Sequence, residues 1–267
     1  MSRLKGSGGA VYVGQATIDN CEDAWNEQVD TDVTASLDTD DYKIGSGSCK
    51  FEVAAGLTDG DIIASEVVSV DLSAYTQVLW WAKSSVAINT AGDLQMLLDE
   101  DALCASPLTV NFPALAANTW TPCSTAADMS DYDATISVGV KLAANDPGAF
   151  NLWLDHIMAA KSVAGIKSWS IDYTMNVEDV TGFDSSGHKA FIPTIDEWSG
   201  SFEGFKDGAP LSIGSVVLLE LRESSTSTQQ WRGSAIVTAV HPNVGVAGVV
   251  TYGYDFQGTG ALTVASA

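Results

Sequence analysis

The sequence predicts an all-β protein built from β-sandwich domains. Apolar residues alternate with polar ones or form short continuous runs, Gly, Asp, Ser and Asn bound these runs, and almost nothing has the helical period. Hydrophobic residues make up 46% of the chain and charged residues 17%, which excludes a disordered protein. Because 267 residues exceed the usual size of one domain, two domains are expected.

Six segments of the first part have the pattern of strands. Each combines alternation or a short apolar run with a turn-forming cluster at its ends, and short strands at such intervals are typical of a sandwich. The predicted strands are residues 49–54, 61–70, 77–82, 93–98, 136–142 and 150–157.

Strand patterns in the second part are longer and more regular. They cover residues 165–177, 198–205, 215–221, 230–241 and 245–256. Residues 184–195 and 207–213 are rich in turn formers and are predicted as loops, the second with at most one short helix.

The chain is strongly acidic, with a formal net charge of −22. Its few basic residues are scattered singly, which excludes a surface that binds nucleic-acid phosphates. Residues 19–161 hold 23 acidic and 5 basic residues, a balance of −18, and the remainder holds 11 and 7, a balance of −4. The simplest interpretation is a solvated, solubilising face on the first part.

No apolar run is long enough to span a membrane, and the first residues lack the apolar core of a signal peptide. We therefore expect synthesis and folding in a cytoplasm and no membrane partner. Four cysteines, at positions 21, 49, 104 and 123, have no CxxC spacing. They are expected to be buried thiols, with Cys21–Cys49 or Cys104–Cys123 disulfides as the alternative.

Several motifs of the second part resemble the major tail tube proteins of long-tailed phages. They are GIKSWSIDY (165–173), TGFDSSGHKAFIP (181–193), EWSGSFEGF (197–205), QWRGSAIV (230–237) and VTYGYDFQGTGAL (250–262). The resemblance implies a β-sandwich whose strands join those of neighbours in a hexameric ring with a shared inner barrel. Stacked rings would form a tube in the virion tail that DNA passes through without specific binding, in contact with tape-measure, tail-terminator and tail-tip proteins.

The same resemblance assigns roles to two sets of side chains. Acidic residues expected to face the lumen are Asp172, Glu178, Glu203 and Glu220. Aromatic residues expected in the sandwich core or the subunit interface are Trp169, Phe183, Trp198, Phe202, Phe205 and Trp231.

An inserted domain is predicted near the N-terminus. GSGGAVYVG (6–14) looks like the first tube strand, but the next tube motif begins only near residue 163. Since an autonomous domain is tolerated at a loop tip, we predict a tube strand in 1–18, an insert in 19–162 and the remainder of the tube domain in 163–267. The insert is expected to point outward.

The insert resembles jelly-roll carbohydrate-binding modules. The similar segments are YKIGSGSCKFEV (42–53), VDLSAY (70–75), VLWWAKS (78–84), NTWT (118–121) and LWLDHI (152–157). The resemblance implies one structural Ca²⁺ held by Asp19, Glu22, Asp41 and Asp155, with carbonyls near Lys43 and Ser46; the alternative is an acidic strand end without metal. Host or environmental glycans are implied ligands. Tyr42 and Tyr132 are the expected exposed platforms, whereas Trp80, Trp81, Trp120 and Trp153 are expected mostly in the core.

No catalytic constellation is visible. The histidines at 156, 188 and 241 lie in unrelated contexts, without a GxSxG, HExxH or P-loop motif. We therefore expect a structural protein and not an enzyme. The rival prediction is a free-standing carbohydrate-binding adhesin that does not assemble into tubes.

Overall fold

The computed structural model describes residues 9–28, 31–163, 165–183, 188–206, 210–224, 229–246 and 248–266. These residues form antiparallel β-sheets with one short 3-10 turn and no α-helix, so the all-β prediction is confirmed. No helix in these ranges is long and apolar enough to cross a membrane.

The strands are β1 Ala10–Asp19, β2 Asn26–Glu27, β3 Val33–Asp38, β4 Ser48–Val53, β5 Ile62–Val70, β6 Gln77–Ser84, β7 Leu94–Asp99, β8 Leu108–Asn111, β9 Thr121–Ala126, β10 Thr135–Leu142, β11 Phe150–Ser162, β12 Ile166–Asp179, β13 Phe191–Phe205, β14 Val216–Arg222, β15 Gln229–Asn243 and β16 Thr251–Ser266.

The chain divides into two compact units. One is Tyr12–Ser162, which we call the inserted unit, and the other, the flanking unit, contains the residues before and after it. The division falls after Val11, ahead of the predicted boundary between residues 18 and 19, because β1 pairs with β11 from Tyr12 to Asp19.

Two antiparallel sheets form a sandwich in the inserted unit. One sheet contains β3, β4, β11, β1, β6 and β9, and the other has the order β2-β5-β10-β7-β8. Their inner faces bury one apolar core, to which Phe51 and Trp80 contribute from the first sheet and Ile63 and Met96 from the second. This is the face-to-face packing in which inward side chains of both sheets interdigitate.

Strand β11 joins the first sheet together. β6 pairs along one edge of β11, from Leu152 to Ala160. The other edge is shared, because β4 pairs with residues 150–154 and β1 pairs with residues 157–162. β1 therefore ends and β4 begins beside Asp155 and His156, where the pairing of β11 with β6 is also irregular. We call this place the β1/β4 junction.

The flanking unit contains an antiparallel sheet in the order β12-β13-β16-β15-β14. Trp198 and Phe202 of β13 and Tyr254 and Phe256 of β16 are buried. Phe202 lies opposite Tyr254 in the ladder, and Gly200 lies opposite Phe256. Because side chains alternate along a strand, these four aromatics share one face of the sheet, and the residues between them share the other face.

Several predicted strand boundaries are wrong. Residues 191–195 belong to β13 and are not a loop, whereas residues 245–250 lie outside β16, which continues to Ser266. The prediction omitted β3, β8 and β9, whose sequences are short and rich in Ser, Thr and Asn. Parts of the two predicted loops, 184–187 and 207–209, lie outside the described residues.

Candidate assembly arm and buried carboxylate junction

A two-stranded arm extends from the flanking sheet. Residues 174–179 of β12 pair with residues 191–197 of β13, but β13 pairs with β16 only from Ser199 onward. Every residue of both segments is exposed. We call these two segments the arm.

Large apolar side chains cover much of the arm. Ile195 is 71% exposed and Val177 is 62% exposed, and the residues just beyond the paired segments continue the pattern. The exposed apolar residues of the arm and its end are Met175, Val177, Val180, Phe183, Phe191, Ile192 and Ile195. Exposed apolar patches of this kind mark binding surfaces.

The aromatic face of the sheet is held together by close packing. Trp198 and Phe256 meet edge to face with ring centroids 5.9 Å apart, and Phe202 lies 4.9 Å from Tyr254. The Trp198 indole N–H donates to the Gly260 carbonyl over 3.0 Å. A Cβ atom at Gly258 would lie 2.1 Å from the Trp198 ring, so this indole requires glycine beneath it.

The opposite face of β12, β13 and β16 is polar. Ser168 lies opposite Glu203, Ser170 opposite Ser201, and Asp172 opposite Ser199. Asp172 and Glu203, two of the predicted lumen acids, therefore lie on one face, and Glu203 accepts a hydrogen bond from Lys167 over 3.0 Å. Glu178 is exposed on the arm, away from these two.

Glu220, which was expected to face the lumen, is instead buried within the flanking unit. It has no exposed side-chain surface and lies between two arginines of the flanking sheet. Arg232, its ladder partner on β15, donates to Oε2 over 2.9 Å, and Arg222 donates to Oε1. An unpaired buried charge would be costly, so both arginines satisfy it.

The six predicted aromatics separate into three groups. Trp198 and Phe202 are buried. Trp169 and Trp231 are half-buried, and their indole N–H groups donate to the Arg222 carbonyl and to the Glu223 carboxylate. Phe183 is fully exposed and Phe205 is 42% exposed, so neither belongs to the core of the isolated chain.

The β1/β4 junction contains a carboxylate with no solvent exposure, that of Asp155. Its Oδ2 accepts hydrogen bonds from the backbone N–H groups of Lys43 and Ile44, at 2.6 and 2.9 Å. Its Oδ1 is buried without a hydrogen-bond partner. Burial and, to a smaller extent, the charge of Glu22 together raise the pKa of Asp155 to about 7, against the effect of the two backbone donors.

Two further acids belong to the junction. Glu22 accepts hydrogen bonds from the backbone N–H and the hydroxyl of Ser46, which lower its pKa although burial opposes them. Asp19 accepts from the Cys21 backbone N–H over 2.7 Å, yet burial raises its pKa. His156 follows Asp155, and its Nε2 is also buried without a partner.

Asp41 does not join this group. Its carboxylate accepts hydrogen bonds from Lys83 and from the Trp120 indole, the latter over 2.7 Å, and these lower its pKa although burial opposes them. Within the described residues, no three His, Cys, Asp or Glu side chains are arranged to hold a metal ion. Of the four predicted calcium ligands, only Asp155 has a buried oxygen without a hydrogen-bond partner, and the charge of Glu22 acts on its carboxylate.

The predicted glycan platforms differ in exposure. Tyr42 is 42% exposed, but Tyr132 is half-buried and packs against the core, so the expectation of an exposed Tyr132 is wrong. Trp80, Trp81 and Trp153 are buried, while Trp120 is half-buried. Lys43 lies over Trp81, and Lys50 and Lys83 lie over Trp153, so these two indoles are covered by side chains.

Two features of the junction carried no clear sequence signal. Cys21 and Cys49 are buried in contact with each other although 28 positions separate them. His156 has a positive φ of 50° in the middle of a strand. Only the pairing of β1 and β4 along one edge of β11 brings these residues together.

No protein-family model matches the chain, and no curated protein matches it. Among solved structures, a chain from the tail of an empty gene transfer agent particle with C6 symmetry is 17% identical, with 40% of this chain and 87% of that chain covered and a TM-score of 0.34. A chain from the virion of a native gene transfer agent particle is also 17% identical, with coverages of 40% and 89% and a TM-score of 0.34. A family 30 carbohydrate-binding module is 12% identical, with coverages of 55% and 98% and a TM-score of 0.36. All three TM-scores lie below 0.5, so these similarities do not establish a shared fold.

Proposed function

We propose that this protein is a structural subunit of a phage or phage-like tail tube, which assembles into stacked hexameric rings and carries the inserted unit as an outward decoration. The tube motifs between residues 165 and 262 suggest this class of protein. The single observation that carries the proposal is the exposed apolar arm.

The arm has the properties of an element completed by another subunit. A two-stranded ribbon exposed on both faces is marginally stable in water by itself. Here it also exposes Ile195, Val177 and Phe191, whose burial would contribute about 1.5 to 3 kcal/mol each. A second copy of the chain is the proposed partner, because an asymmetric contact repeated around a closed ring leaves no arm uncovered.

The two faces of the flanking sheet agree with a tube wall. The aromatic face is buried, whereas the polar face presents Ser170, Ser201, Asp172 and Glu203. A wall of small polar and acidic side chains repels DNA phosphates and lets DNA slide. We propose that this face lines the lumen, with DNA as a transient partner and tape-measure, tail-terminator and tail-tip proteins as further contacts.

Substitutions on the arm test assembly. Ile195→Lys and Val177→Lys place a charge where apolar contact is proposed, so both variants should sediment as smaller species than the unchanged protein at equal concentration. Val67→Lys is the matched control, because Val67 is 73% exposed on β5 of the inserted unit. If both arm variants still assemble, the arm does not form the contact between subunits. The same conclusion follows if Val67→Lys loses assembly as strongly as the arm variants do.

We also propose that the inserted unit holds one Ca²⁺ at the β1/β4 junction. The free buried Oδ1 of Asp155 and the neighbouring Glu22 would supply carboxylate ligands, and backbone carbonyls and water would supply the other oxygens that Ca²⁺ requires. An ion that binds only the folded state stabilises it by mass action.

The calcium proposal is tested by thermal unfolding of the full chain. Millimolar CaCl₂ should raise the melting temperature relative to EDTA, and Asp155→Ala should remove that rise. Asp41→Asn is the control variant, because Asp41 is bound to Lys83 and Trp120. Identical curves with CaCl₂ and EDTA would reject the site.

The competing function is a free-standing glycan-binding adhesin, with Tyr42 as the exposed platform. It predicts a monomer that binds glycans and does not form rings. The tail-tube proposal predicts rings whether or not the inserted unit binds host or environmental glycans. Neither proposal assigns a catalytic role to the chain.

A further inference from the structure

Two thiols meet at the β1/β4 junction. Cys21 follows β1 directly, and Cys49 lies in β4. β11 brings them together, because Asp19 pairs with Ile157 and Cys49 pairs with Leu154 along the same edge of that strand. Both side chains have no solvent exposure, and the two thiols lie within interaction distance of each other.

Neighbouring contacts hold the two chain segments against each other. The Cys49 Sγ–H donates to the Asp23 carbonyl over 2.9 Å. Trp25 packs edge to face on Phe51 with ring centroids 5.6 Å apart. The segment that follows Cys21 is therefore fixed on β4 at two further points, which keeps the sulfurs adjacent.

The surroundings also slow their reaction. Neither sulfur is exposed, so an external oxidant cannot reach it while the junction is closed. Formation of the reactive thiolate and its attack on an oxidant therefore require a transient opening of the junction. The pair should remain reduced during folding in a reducing compartment and oxidise slowly afterwards.

We propose that Cys21 and Cys49 are a redox pair that forms a disulfide when the protein meets an oxidising low-molecular-weight disulfide. In the first step, one cysteine thiolate attacks the oxidant, forms a mixed disulfide and releases one small thiol. The second cysteine then attacks the protein sulfur of that mixed disulfide and releases the second small thiol. The two protein thiols are oxidised, the oxidant is reduced to two thiols, and the two cysteine protons are transferred to the released thiolates.

The bond would tie the end of β1 to the beginning of β4. It closes a loop across the 28 positions between the cysteines, which restricts the unfolded chain. We expect the melting temperature of the inserted unit's transition to rise by about 5 to 10 °C in the full chain. Formation of this disulfide and the rise in melting temperature do not depend on the tail-tube proposal, because both cysteines belong to one chain.

The test uses the full chain equilibrated with oxidised glutathione or with dithiothreitol. Each sample is denatured, alkylated and analysed by intact and peptide mass spectrometry. The oxidised sample should contain two alkylated cysteines, with peptides that contain Cys21 and Cys49 cross-linked, and the reduced sample should contain four. Cys104→Ser and Cys123→Ser are controls that should retain the cross-link, whereas Cys21→Ser and Cys49→Ser should lose it.

Four alkylated cysteines after equilibration with the oxidant would overturn the proposal. A cross-link that maps to any other pair, or stable glutathione adducts on Cys21 or Cys49, would overturn it as well. These outcomes are read on the unchanged protein, so they hold even if a serine variant fails to fold.

Discussion

Asp155 shows how a single side chain is constrained by its surroundings. Its Oδ2 holds the incoming loop through Lys43 and Ile44, which fixes the place where β4 begins. Its Oδ1 is buried without a hydrogen-bond donor, which is costly for a charged oxygen. The cost is relieved by a proton or by a cation, so pH and calcium should act on the same residue.

Because the pKa of Asp155 differs between the folded and the unfolded chain, the free energy of unfolding should depend on pH. Its pKa is about 7 in the folded protein and 3.8 in a model peptide, so between these values the folded chain holds a proton that the unfolded chain releases. The contribution of Asp155 to the free energy of unfolding therefore falls as the pH rises from about 4 to about 7 and stays constant above that window.

Asp155→Asn should remove this contribution. In EDTA, the variant should gain about 2 to 4 kcal/mol of unfolding free energy relative to the unchanged protein between pH 4 and pH 7.5. Urea unfolding at several pH values measures the difference, and Asp59→Asn is an exposed control. A difference that is independent of pH would show that Asp155 is ionised in the folded chain throughout.

Glu220 illustrates a different solution to charge burial. Two arginines neutralise it, so Glu220→Gln should lower the free energy of unfolding by about 2 to 4 kcal/mol, because the substitution removes the carboxylate charge that both cations share. Glu203→Gln breaks a solvent-exposed pair with Lys167 and should leave the free energy of unfolding nearly unchanged. Chemical unfolding of both variants gives the comparison, and equal effects would contradict the importance of burial.

Sequence reasoning located some of these side chains but not their environments. The resemblance of the LWLDHI segment to carbohydrate-binding modules suggested Asp155 as a calcium ligand, but it did not predict that the carboxylate is fully buried. Glu220 could not be distinguished from Asp172, because a charge in an alternating strand faces either side until the register is known. The contact between Cys21 and Cys49 depends on long-range strand pairing, which composition does not encode.

At the scale of elements, β13 explains why residues 191–195 of the arm were predicted as a loop. Pro193 and the preceding turn-forming residues argue against a strand. In the structure, this part of β13 has β12 as its neighbour and pairs with β16 only from Ser199. A strand without a second neighbour tolerates proline, because no ladder hydrogen bond is lost on its free edge.

Packing of β13 on β15 and β16 depends on glycine. Gly258→Ala would place a Cβ 2.1 Å from the Trp198 ring, which must then move and break its hydrogen bond to Gly260. We expect a loss of about 2 to 4 kcal/mol in the free energy of unfolding. Gly248→Ala is the matched control, because open space surrounds that position. An equal response of both variants in thermal unfolding would show that Trp198 is not tightly packed.

At the scale of the molecule, the chain leaves and re-enters the flanking unit at adjacent points. The Val163 N–H donates to the Val11 carbonyl over 2.8 Å, on either side of the inserted unit. A short Gly-Ser linker in place of residues 12–162 should therefore close the flanking unit without strain.

This deletion tests whether assembly belongs to the flanking unit. The shortened protein should still form rings and tubes, because the arm and the polar face lie outside the deleted segment. Electron microscopy of the shortened and full-length proteins provides the measurement. A shortened chain that is folded by circular dichroism but remains monomeric would assign assembly to the inserted unit.

Charge is divided between the two parts of the sequence. The −18 balance of residues 19–161 is screened by salt within about 8 to 10 Å. Six copies of the polar face in a ring would instead bring Asp172 and Glu203 close together around a narrow channel. The sequence shows that residues 19–161 carry most of the negative charge. Only the strand register shows that Asp172 and Glu203 lie on one face of the sheet, whereas Glu220 lies opposite Arg232.

The most direct test of self-assembly is electron microscopy of the purified, concentrated full-length protein with rotational averaging of end views. If the chain is a tube subunit, the images should show rings of six subunits that stack into hollow tubes, with extra density on the outer surface. Uniform monomers at high concentration, without rings or tubes, would contradict the tail-tube proposal.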